Sequence, residues 1–318
     1  MPLRVGLVAG EASGDTLGAG LINALRQLVP DAVFMGIAGP KMTAAGCLTW
    51  ASSESLAVMG LVEIFRHLPR LLRLRSRIRK ELLAADVDVF VGIDAPEFNL
   101  RLARDLRHAG IATVQYVSPQ IWAWRQKRVR TIHESVDLVL CLLPFERQFY
   151  ENHGVAAQFV GHPLADEIPL TADRYGARMS LGIGSAEAVV ALLPGSRRGE
   201  VTRLAADFAN TVRWLAKQRP TLVFIAPMAN AVAHELFSTA LQRFAPGVPV
   251  RFLEGGAQAA LTAADVALVA SGTASLEAAL CKRPMVVVYR LSPISAWLLR
   301  RLNLFKARYF AQPNLLAD

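Results

Sequence analysis

The chain has 318 residues, 53% of them hydrophobic and 19% charged, which is enough apolar material for a large core and more length than one typical domain uses, so two domains are expected. Its three cysteines, Cys47, Cys141 and Cys281, are odd in number, far apart and set mostly among apolar residues. That argues against a disulfide framework or a CxxC metal site and fits a reducing compartment. A net charge of +9 favours an anionic partner, although charge alone does not separate nucleic acid from phospholipid or a phosphorylated substrate.

Short β-branched runs alternate with segments of helical period throughout, the pattern of βα units and a parallel sheet covered on both faces. Met1 leads directly into the first strand, at 3–8, with no basic flank, long apolar stretch or small-residue cleavage site, so no export signal is expected. Gly10-Glu11-Ala-Ser13-Gly-Asp15-Thr-Leu-Gly18 follows and opens a helix carrying Leu17, Leu21, Ile22 and Leu25. Small residues there let backbone N–H groups approach a phosphate or a hydroxyl-rich ligand. The spacing is neither GxGxxG nor GxSxG, which disfavours a dinucleotide site and a nucleophilic Ser13. A plain strand-to-helix turn, with Asp15 as an N-terminal charge, explains the pattern equally well.

A second strand is expected at 33–37. From Arg66 to Lys80 there are seven Lys or Arg residues and no acid. On a helical wheel Arg66, Arg70, Arg73, Arg77 and Lys80 share one side, and Leu71, Leu74, Ile78 and Leu82 another. The segment reads as an interfacial membrane element or, equally, as an amphipathic helix packed on the core. A strand at 87–93 then delivers Gly92-Ile-Asp94-Ala-Pro96-Glu-Phe-Asn99. Asp94, just past a buried strand, is placed to act as a general base for a sugar hydroxyl, while Asp94 or Asn99 as a helix N-cap is the competing reading.

Strands at 112–117 and 138–142 complete the first block. Between them Tyr116-Val-Ser-Pro-Gln-Ile-Trp122-Ala-Trp124-Arg125-Gln-Lys127-Arg128 sets aromatic beside basic residues, suited to a sugar, a lipid channel or phosphate and also common in ordinary packing. No apolar run, 138–143 included, approaches the ~20 residues that span a bilayer. Gly161-His-Pro-Leu and the polar stretch 169–178 interrupt both periodicities and mark the expected boundary, giving domains 1–165 and 166–318.

The second block has strands at 188–193, 222–226, 249–252, 266–270 and 285–289. After the first comes Pro194-Gly195-Ser196-Arg197-Arg198-Gly-Glu200, whose backbone donors and guanidinium suit a diphosphate without the spacing of an ATP-hydrolysing P-loop. After the fourth comes Ser271-Gly272-Thr273-Ala-Ser-Leu-Glu277. Ser271 or Thr273 can cap a helix there, and Glu277 can accept both hydroxyls of a ribose. The expected fold class is therefore α/β, two Rossmann-like domains facing across a cleft at the carboxyl ends of their strands.

Taken together, GEASGD, GIDAPEFN, YVSPQIWAWRQKR, LLPGSRRGEV, SGTASLE and the terminal PNLLAD resemble the lipid-A-disaccharide synthase family across essentially the whole chain. The resemblance implies a B-type glycosyltransferase fold. It also implies inverting transfer of diacylglucosamine from UDP-2,3-diacylglucosamine to 2,3-diacylglucosamine 1-phosphate. Asp94 is then the base, and Arg197 meets the UDP diphosphate together with Gly195 and Ser196. Ser271, Gly272, Thr273 and Glu277 bind the nucleotide and Asn314 lies near the donor, while Gly10, Glu11, Ser13 and Asp15 contact the acceptor. Arg66, Arg70, Leu71, Arg73, Leu74, Arg77 and Ile78 face the anionic cytoplasmic surface of the inner membrane.

No cofactor, metal or nucleic acid is expected, because arginines and helix N-termini suffice for the phosphates. The family continues beyond the point where this chain stops, at Asp318. The sequence is accordingly read as a truncated form, and a homodimer is expected of the full-length one. Two rival readings remain at this stage. One is another UDP-N-acetylglucosamine enzyme of the same fold, a 2-epimerase or a peptidoglycan glycosyltransferase. The other is a nonenzymatic basic protein that binds membrane or nucleic acid.

Overall fold

A computed structural model describes residues 2–56, 61–124, 126–291, 301 and 311–316. The chain divides into two compact units, Met1–Pro163 and Leu164–Asp318.

In the first unit seven strands, β1 (Arg4–Ala9), β2 (Val33–Ala38), β3 (Cys47–Ser52), β4 (Val89–Ile93), β5 (Ala112–Tyr116), β6 (Leu138–Cys141) and β7 (Ala157–Phe159), form one sheet in the order β3-β2-β1-β4-β5-β6-β7. Every pairing is parallel. The helices between them are α1 (Glu11–Leu28), α2 (Pro40–Ala44), α3 (Leu61–Ala84), α4 (Pro96–Arg107), α5 (Ile121–Trp124), α6 (Val129–Ser135) and α7 (Pro144–Glu151). Such a sheet is buried on both faces, which is why its central strands read as continuous apolar runs. Val5, Leu7 and Ala9 of β1 pack with Leu17 and Ile22 of α1, whereas Val8 joins the opposite cluster with Ile78 and Leu82 of α3 and Leu102 and Leu106 of α4.

Two strands lie where the sequence gives no strand signal. β3 and β7 are the edges of the sheet, and each buries only its first residue, Cys47 and Ala157. With Leu48, Phe159 and most of their neighbours exposed or half-exposed, the apolar run that betrays a central strand is missing. A register shift between Gly36 and Ile37 further blurs the pairing of β2 with β3.

α3 corrects part of the membrane expectation. Ile78 and Leu82 are fully buried in the core, and Leu74 packs against it. Ile78 and Leu74 therefore face inward, because an amphipathic helix beside a sheet buries its apolar stripe there first. Leu71 is half-buried, Arg70, Arg73 and Arg77 are exposed, and Arg77 pairs with Glu81 at 2.9 Å. Leu68 and Leu72, each 39% exposed, occupy the solvent side instead. The side chain of Arg66 lies outside the described residues.

The second unit contains β8 (Val189–Leu193), β9 (Val223–Met228), β10 (Val250–Glu254), β11 (Val266–Ala270) and β12 (Met285–Val288), all parallel, in the order β10-β9-β8-β11-β12. Its helices are α8 (Pro163–Glu167), α9 (Arg174–Ser180), α10 (Arg198–Gln218), α11 (Ala231–Phe244), α12 (Ala257–Ala263) and α13 (Thr273–Leu280), with a last short turn of helix at Gln312–Leu316. Val190 and Leu192 meet α10 and α11, and Val189, Ala191 and Leu193 meet α12 and the segment around Ile183. The three cysteines are buried and unpaired as disulfides, and burial pushes the thiols of Cys47 and Cys141 up to about 12.

Arg178, at the end of the polar stretch, is not a surface residue. Its side chain is 4% exposed. The guanidinium donates to the carbonyls of Ala263 at 2.9 Å and Ser185 at 2.8 Å and to Asp265 Oδ2 at 2.8 Å. That same oxygen accepts the Val189 N–H, and Arg174 holds the other carboxylate oxygen. The pair thus ties α9 to the amino-terminal ends of β8 and β11. Arg178→Ala is expected to lower the unfolding free energy by about 2 kcal/mol, since it leaves the carbonyls of Ala263, Gly184 and Ser185 without their donor. Arg174→Ala, which removes an exposed partner, is expected to cost less than about 1 kcal/mol. Urea denaturation of the two variants checks the contrast.

Candidate active site

Open parallel sheets bind ligands where the strand order reverses, beyond the carboxyl ends of the two strands that flank the reversal. In the first sheet the reversal falls between β1 and β4, and in the second between β8 and β11. The segments that follow these strands, each a turn leading into the first residues of a helix, are Gly10–Asp15, Asp94–Pro96, Gly195–Arg197 and Ser271–Thr273. Both sheets therefore bring their two singled-out motifs together.

At the first reversal the chain leaves β4 through two consecutive left-handed residues, Asp94 at φ 52° and Ala95 at φ 42°. Neither is glycine, and each such residue costs about 1–2 kcal/mol. Ala95, not Asp94 or Asn99, is the N-cap of α4, and it makes no side-chain cap bond. Asn99 is fully buried one turn further on. Its Nδ2 donates to the carbonyls of Asp94 at 2.8 Å, Val8 at 3.2 Å and Ile93 at 3.4 Å. From β5 the equally buried Gln115 sends its Nε2 to Asp94 O at 3.1 Å and to the carbonyls of Val117 and Tyr116. Val117 is a third non-glycine left-handed residue, at φ 73°. Strain of this kind concentrates where a backbone must present a functional group. Asp94 itself is half-exposed, and its N–H donates to Tyr116 O at 2.9 Å.

Glycines admit these close approaches. A Cβ on Gly92 would lie 2.7 Å from that of Asn99, and one on Gly10 would lie 2.7 Å from that of Ala95. Gly10 thereby sets the first loop directly against the Asp94 step. Ser13 is exposed, whereas the Glu11 side chain lies outside the described residues.

Asp15 is 4% exposed, and its carboxylate accepts the N–H groups of Gly39, Lys41 and Met42 at 2.9–3.0 Å. Three backbone donors at the start of α2 hold the group inside the fold, so Asp15 fixes the β2–α2 loop, a structural role that the sequence pattern does not announce.

The aromatic segment is likewise built into the unit. Trp122 packs edge-on against Phe145 at 5.0 Å and donates its indole N–H to Glu146. Burial raises the Glu146 carboxyl above its ordinary range, opposed by hydrogen bonds from the Leu143 N–H and the Trp122 indole. Arg128 forms a bidentate pair with Glu97 and so is not an open phosphate ligand. Arg125 and the Trp124 side chain lie outside the described residues.

At the second reversal Gly195 adopts φ 116°, and a Cβ there would meet the Glu200 carboxylate 2.3 Å away. The Ser196 peptide is held from both sides, its N–H by Glu200 Oε2 at 3.3 Å and its carbonyl by Asn230 Nδ2 at 2.9 Å. Burial raises the Glu200 carboxyl, with Ser196 and Arg197 pulling it back. Arg197 is exposed and is the N-cap of α10. α13 starts at Thr273 with Gly272 as N-cap and no side-chain cap bond, so neither Ser271 nor Thr273 caps it. Helix-terminal N–H groups beside a small-residue loop are suited to phosphate. Glu277 is half-buried one turn in, and burial, then the nearby Glu167, raises its carboxyl. Asn314 is exposed in the terminal helical turn. Among the described residues no three His, Cys, Asp or Glu side chains converge as a metal site.

The family model described as lipid-A-disaccharide synthetase matches residues 5–318. The chain belongs to this family. Within the lipid-A-disaccharide synthases, it is 53% identical over 315 residues to the protein of Pseudomonas aeruginosa, covering 99% of this chain and 82% of that one. It is 51% identical over 316 residues to that of Xanthomonas campestris, covering 99% and 72%. Among solved structures it is similar to a UDP-GlcNAc 2-epimerase from Neisseria meningitidis bound to UDP-GlcNAc, with TM-score 0.65 at 13% identity over 99% of this chain and 90% of the other. An α,α-trehalose-phosphate synthase (UDP-forming) from Burkholderia vietnamiensis gives 0.54 at 13% over 91% and 82%. These likenesses show the α/β fold of two parallel-sheet units shared by B-type glycosyltransferases and UDP-GlcNAc 2-epimerases, and the family membership disfavours the epimerase reading.

Gln115 and Asn230 are the polar site neighbours that the motifs do not announce. The signal for Gln115 is an amide inside a strand whose other residues carry no amide or charge, and for Asn230 its place as the cap of α11. Gly92→Ala is expected to destabilise the first unit by about 1–3 kcal/mol, because the new methyl displaces Asn99 from a packed position. A drop in thermal midpoint relative to Gly20→Ala, whose Cβ meets nothing within 4 Å on an ordinary helical backbone, measures it.

Proposed function

We propose that this chain is an inverting hexosyltransferase that joins UDP-2,3-diacylglucosamine to 2,3-diacylglucosamine 1-phosphate, releasing UDP and a β-1,6-linked disaccharide 1-phosphate. The observation that carries this reading is identity of about half the residues, over 99% of the chain, to proteins named lipid-A-disaccharide synthase. In this reaction the acceptor's 6-hydroxyl oxygen attacks C1 of the donor sugar and the bond from C1 to the diphosphate oxygen breaks. The hydroxyl proton passes to Asp94, and UDP carries away the bonding electron pair. Arg197, Gly195 and Ser196 meet the diphosphate as its charge develops, together with the amino-terminal N–H groups of α13. Ser271, Gly272 and Thr273 line the nucleotide, Glu277 accepts the ribose hydroxyls and Asn314 serves the donor. Gly10, Glu11 and Ser13 belong to the acceptor side.

Substrates with acyl chains give the solvent side of α3 a use. Exposed Leu68 and Leu72 alternate there with Arg70 and Arg73, a composition suited to an anionic lipid surface, where basic groups meet headgroups and leucines enter the acyl boundary. No helix among the described residues is long and apolar enough to cross a membrane. We assign this face to peripheral contact with the cytoplasmic side of the inner membrane. The homodimer of the full-length form rests on the family resemblance alone.

The test is UDP release with and without the acceptor, together with analysis of the lipid product. Acceptor-dependent UDP and a disaccharide phosphate are expected, and release that ignores the acceptor would remove the transferase reading. Asp94→Asn is expected to lower kcat by about a hundredfold or more while leaving binding to anionic vesicles unchanged; full turnover by that variant would remove its role as base.

A pH dependence follows from Glu277. Only the ionised carboxylate accepts ribose hydroxyls well, and its proton is held above the ordinary glutamate range by burial. UDP affinity is therefore expected to weaken as pH falls, from a higher pH than an ordinary glutamate gives. Glu277→Gln should bind UDP more weakly at pH 8 and lose that part of the profile. Calorimetric titrations of both proteins at several pH values, in which ionisation of UDP itself is common to the two, give the difference.

A further inference from the structure

Gln115 is the least expected residue in the first sheet. It sits inside β5, in register with Gly92 of β4 on one side and Val139 of β6 on the other, and it is fully buried. A bare amide in such a place is costly unless its hydrogen bonds are made, and here only the N–H side makes them, since Gln115 Oε1 is buried with no hydrogen-bond partner. Its two N–H groups are shared among the carbonyls of Asp94, Tyr116 and Val117. Asn99, on α4, shares its two among the carbonyls of Val8, Ile93 and Asp94. Two buried amides, from opposite sides in the sequence, thus collect five carbonyls at the ends of three strands, and the one they have in common is that of Asp94. Gly92 leaves room for Asn99, since a Cβ there would overlap it.

The backbone at this point is left-handed at Asp94, Ala95 and Val117. Without donors to receive the turned carbonyls, the step would relax toward an ordinary strand exit, and the Asp94 side chain would leave with it. We infer that Gln115 and Asn99 are positioning residues for the transfer reaction, an amide clamp on the Asp94 carbonyl that fixes where the Asp94 carboxylate is presented. The inference rests on Asp94 acting as the base. Neither amide is asked to touch substrate; each acts through the backbone of Asp94. Misplacement of a catalytic group by about 1 Å can cost a hundredfold in rate.

The experiment compares Gln115→Leu, Asn99→Asp and Asp94→Asn in the full chain. Gln115→Leu removes the donors and fills the same apolar space, and Asn99→Asp keeps the size and loses the N–H groups. For both clamp variants kcat is expected to fall about tenfold to a hundredfold, with KM for either substrate within about threefold of the parent value. Hydrogen exchange in the segment 93–99, which needs no turnover, is expected to speed up at least about tenfold while the rest of the first unit keeps its protection. Should Gln115→Leu fail to fold, Gln115→Met, unbranched and close to it in length but without N–H groups, carries the same expectation.

Unchanged kcat and unchanged exchange at 93–99 in folded clamp variants would overturn the clamp while leaving Asp94 as the base. So would losses of activity that merely follow the loss of folded protein. Full turnover by Asp94→Asn would instead overturn the reading on which the clamp rests, whatever the exchange data show.

Discussion

A parallel strand that ends at a ligand site has to satisfy its last carbonyls while the chain turns away, and the site around Asp94 is arranged by that requirement. The turn into α4 is made without a glycine, through Asp94 and Ala95 in the left-handed region. That conformation persists only where the surroundings over-determine it. The determinants are two buried amides, an overlap-free Gly92, and Gly10 pressed against Ala95. The Asp94 step, Gly10 and the end of β5 are therefore one mechanical assembly rather than three separate motifs.

The second unit meets its version of the same requirement differently. The loop after β8 does use glycine for its left-handed residue, Gly195, and the neighbouring peptide is fixed through both of its polar groups by Glu200 and Asn230. Glu200 is an acid beneath a loop proposed to receive a diphosphate, which is unfavourable by charge alone. The neighbouring Arg197 and Arg203 counter it. A loop held in this way presents its outward N–H groups and Arg197 with little left to reorganise when charge develops nearby.

The central architecture was legible in the residues because the central strands are buried on both faces and therefore read as apolar runs: β11 has the bounds its sequence suggests, and β1, β2, β8 and β9 differ by a residue or two. β3 and β7 were not legible, since edge strands half in solvent carry no such run. The motifs located the strand-end loops, because small residues and Pro96 after an apolar run leave few alternatives to a turn. They did not reveal what each polar side chain does there. Asp15 and Asp94 look alike in sequence, yet one is buried and held by three N–H groups at the start of α2 and the other is half-exposed, a difference made by segments 24 or more residues away. Arg178 and Gln115 have the same lesson in reverse, being polar residues with a partner, Asp265 and Asp94 respectively, that lies far along the chain. The leucines of α3 share a periodicity that shows two sides, and only the packed structure assigns Ile78 and Leu82 to the inner one.

That assignment has a mechanical meaning. With Ile78 and Leu82 keyed into the core beneath β1 and β4, the carboxyl-terminal half of α3 cannot swing out on a hinge without opening the sheet it covers. Its outer side is a rigid keel: whatever it rests against is met at a fixed tilt, and to no greater depth than a leucine or arginine side chain can reach. Against the lipid surface proposed for it, such a side gives a shallow and quickly reversible hold. The protein can then leave one patch and settle on another without rearranging the strand ends around Asp94.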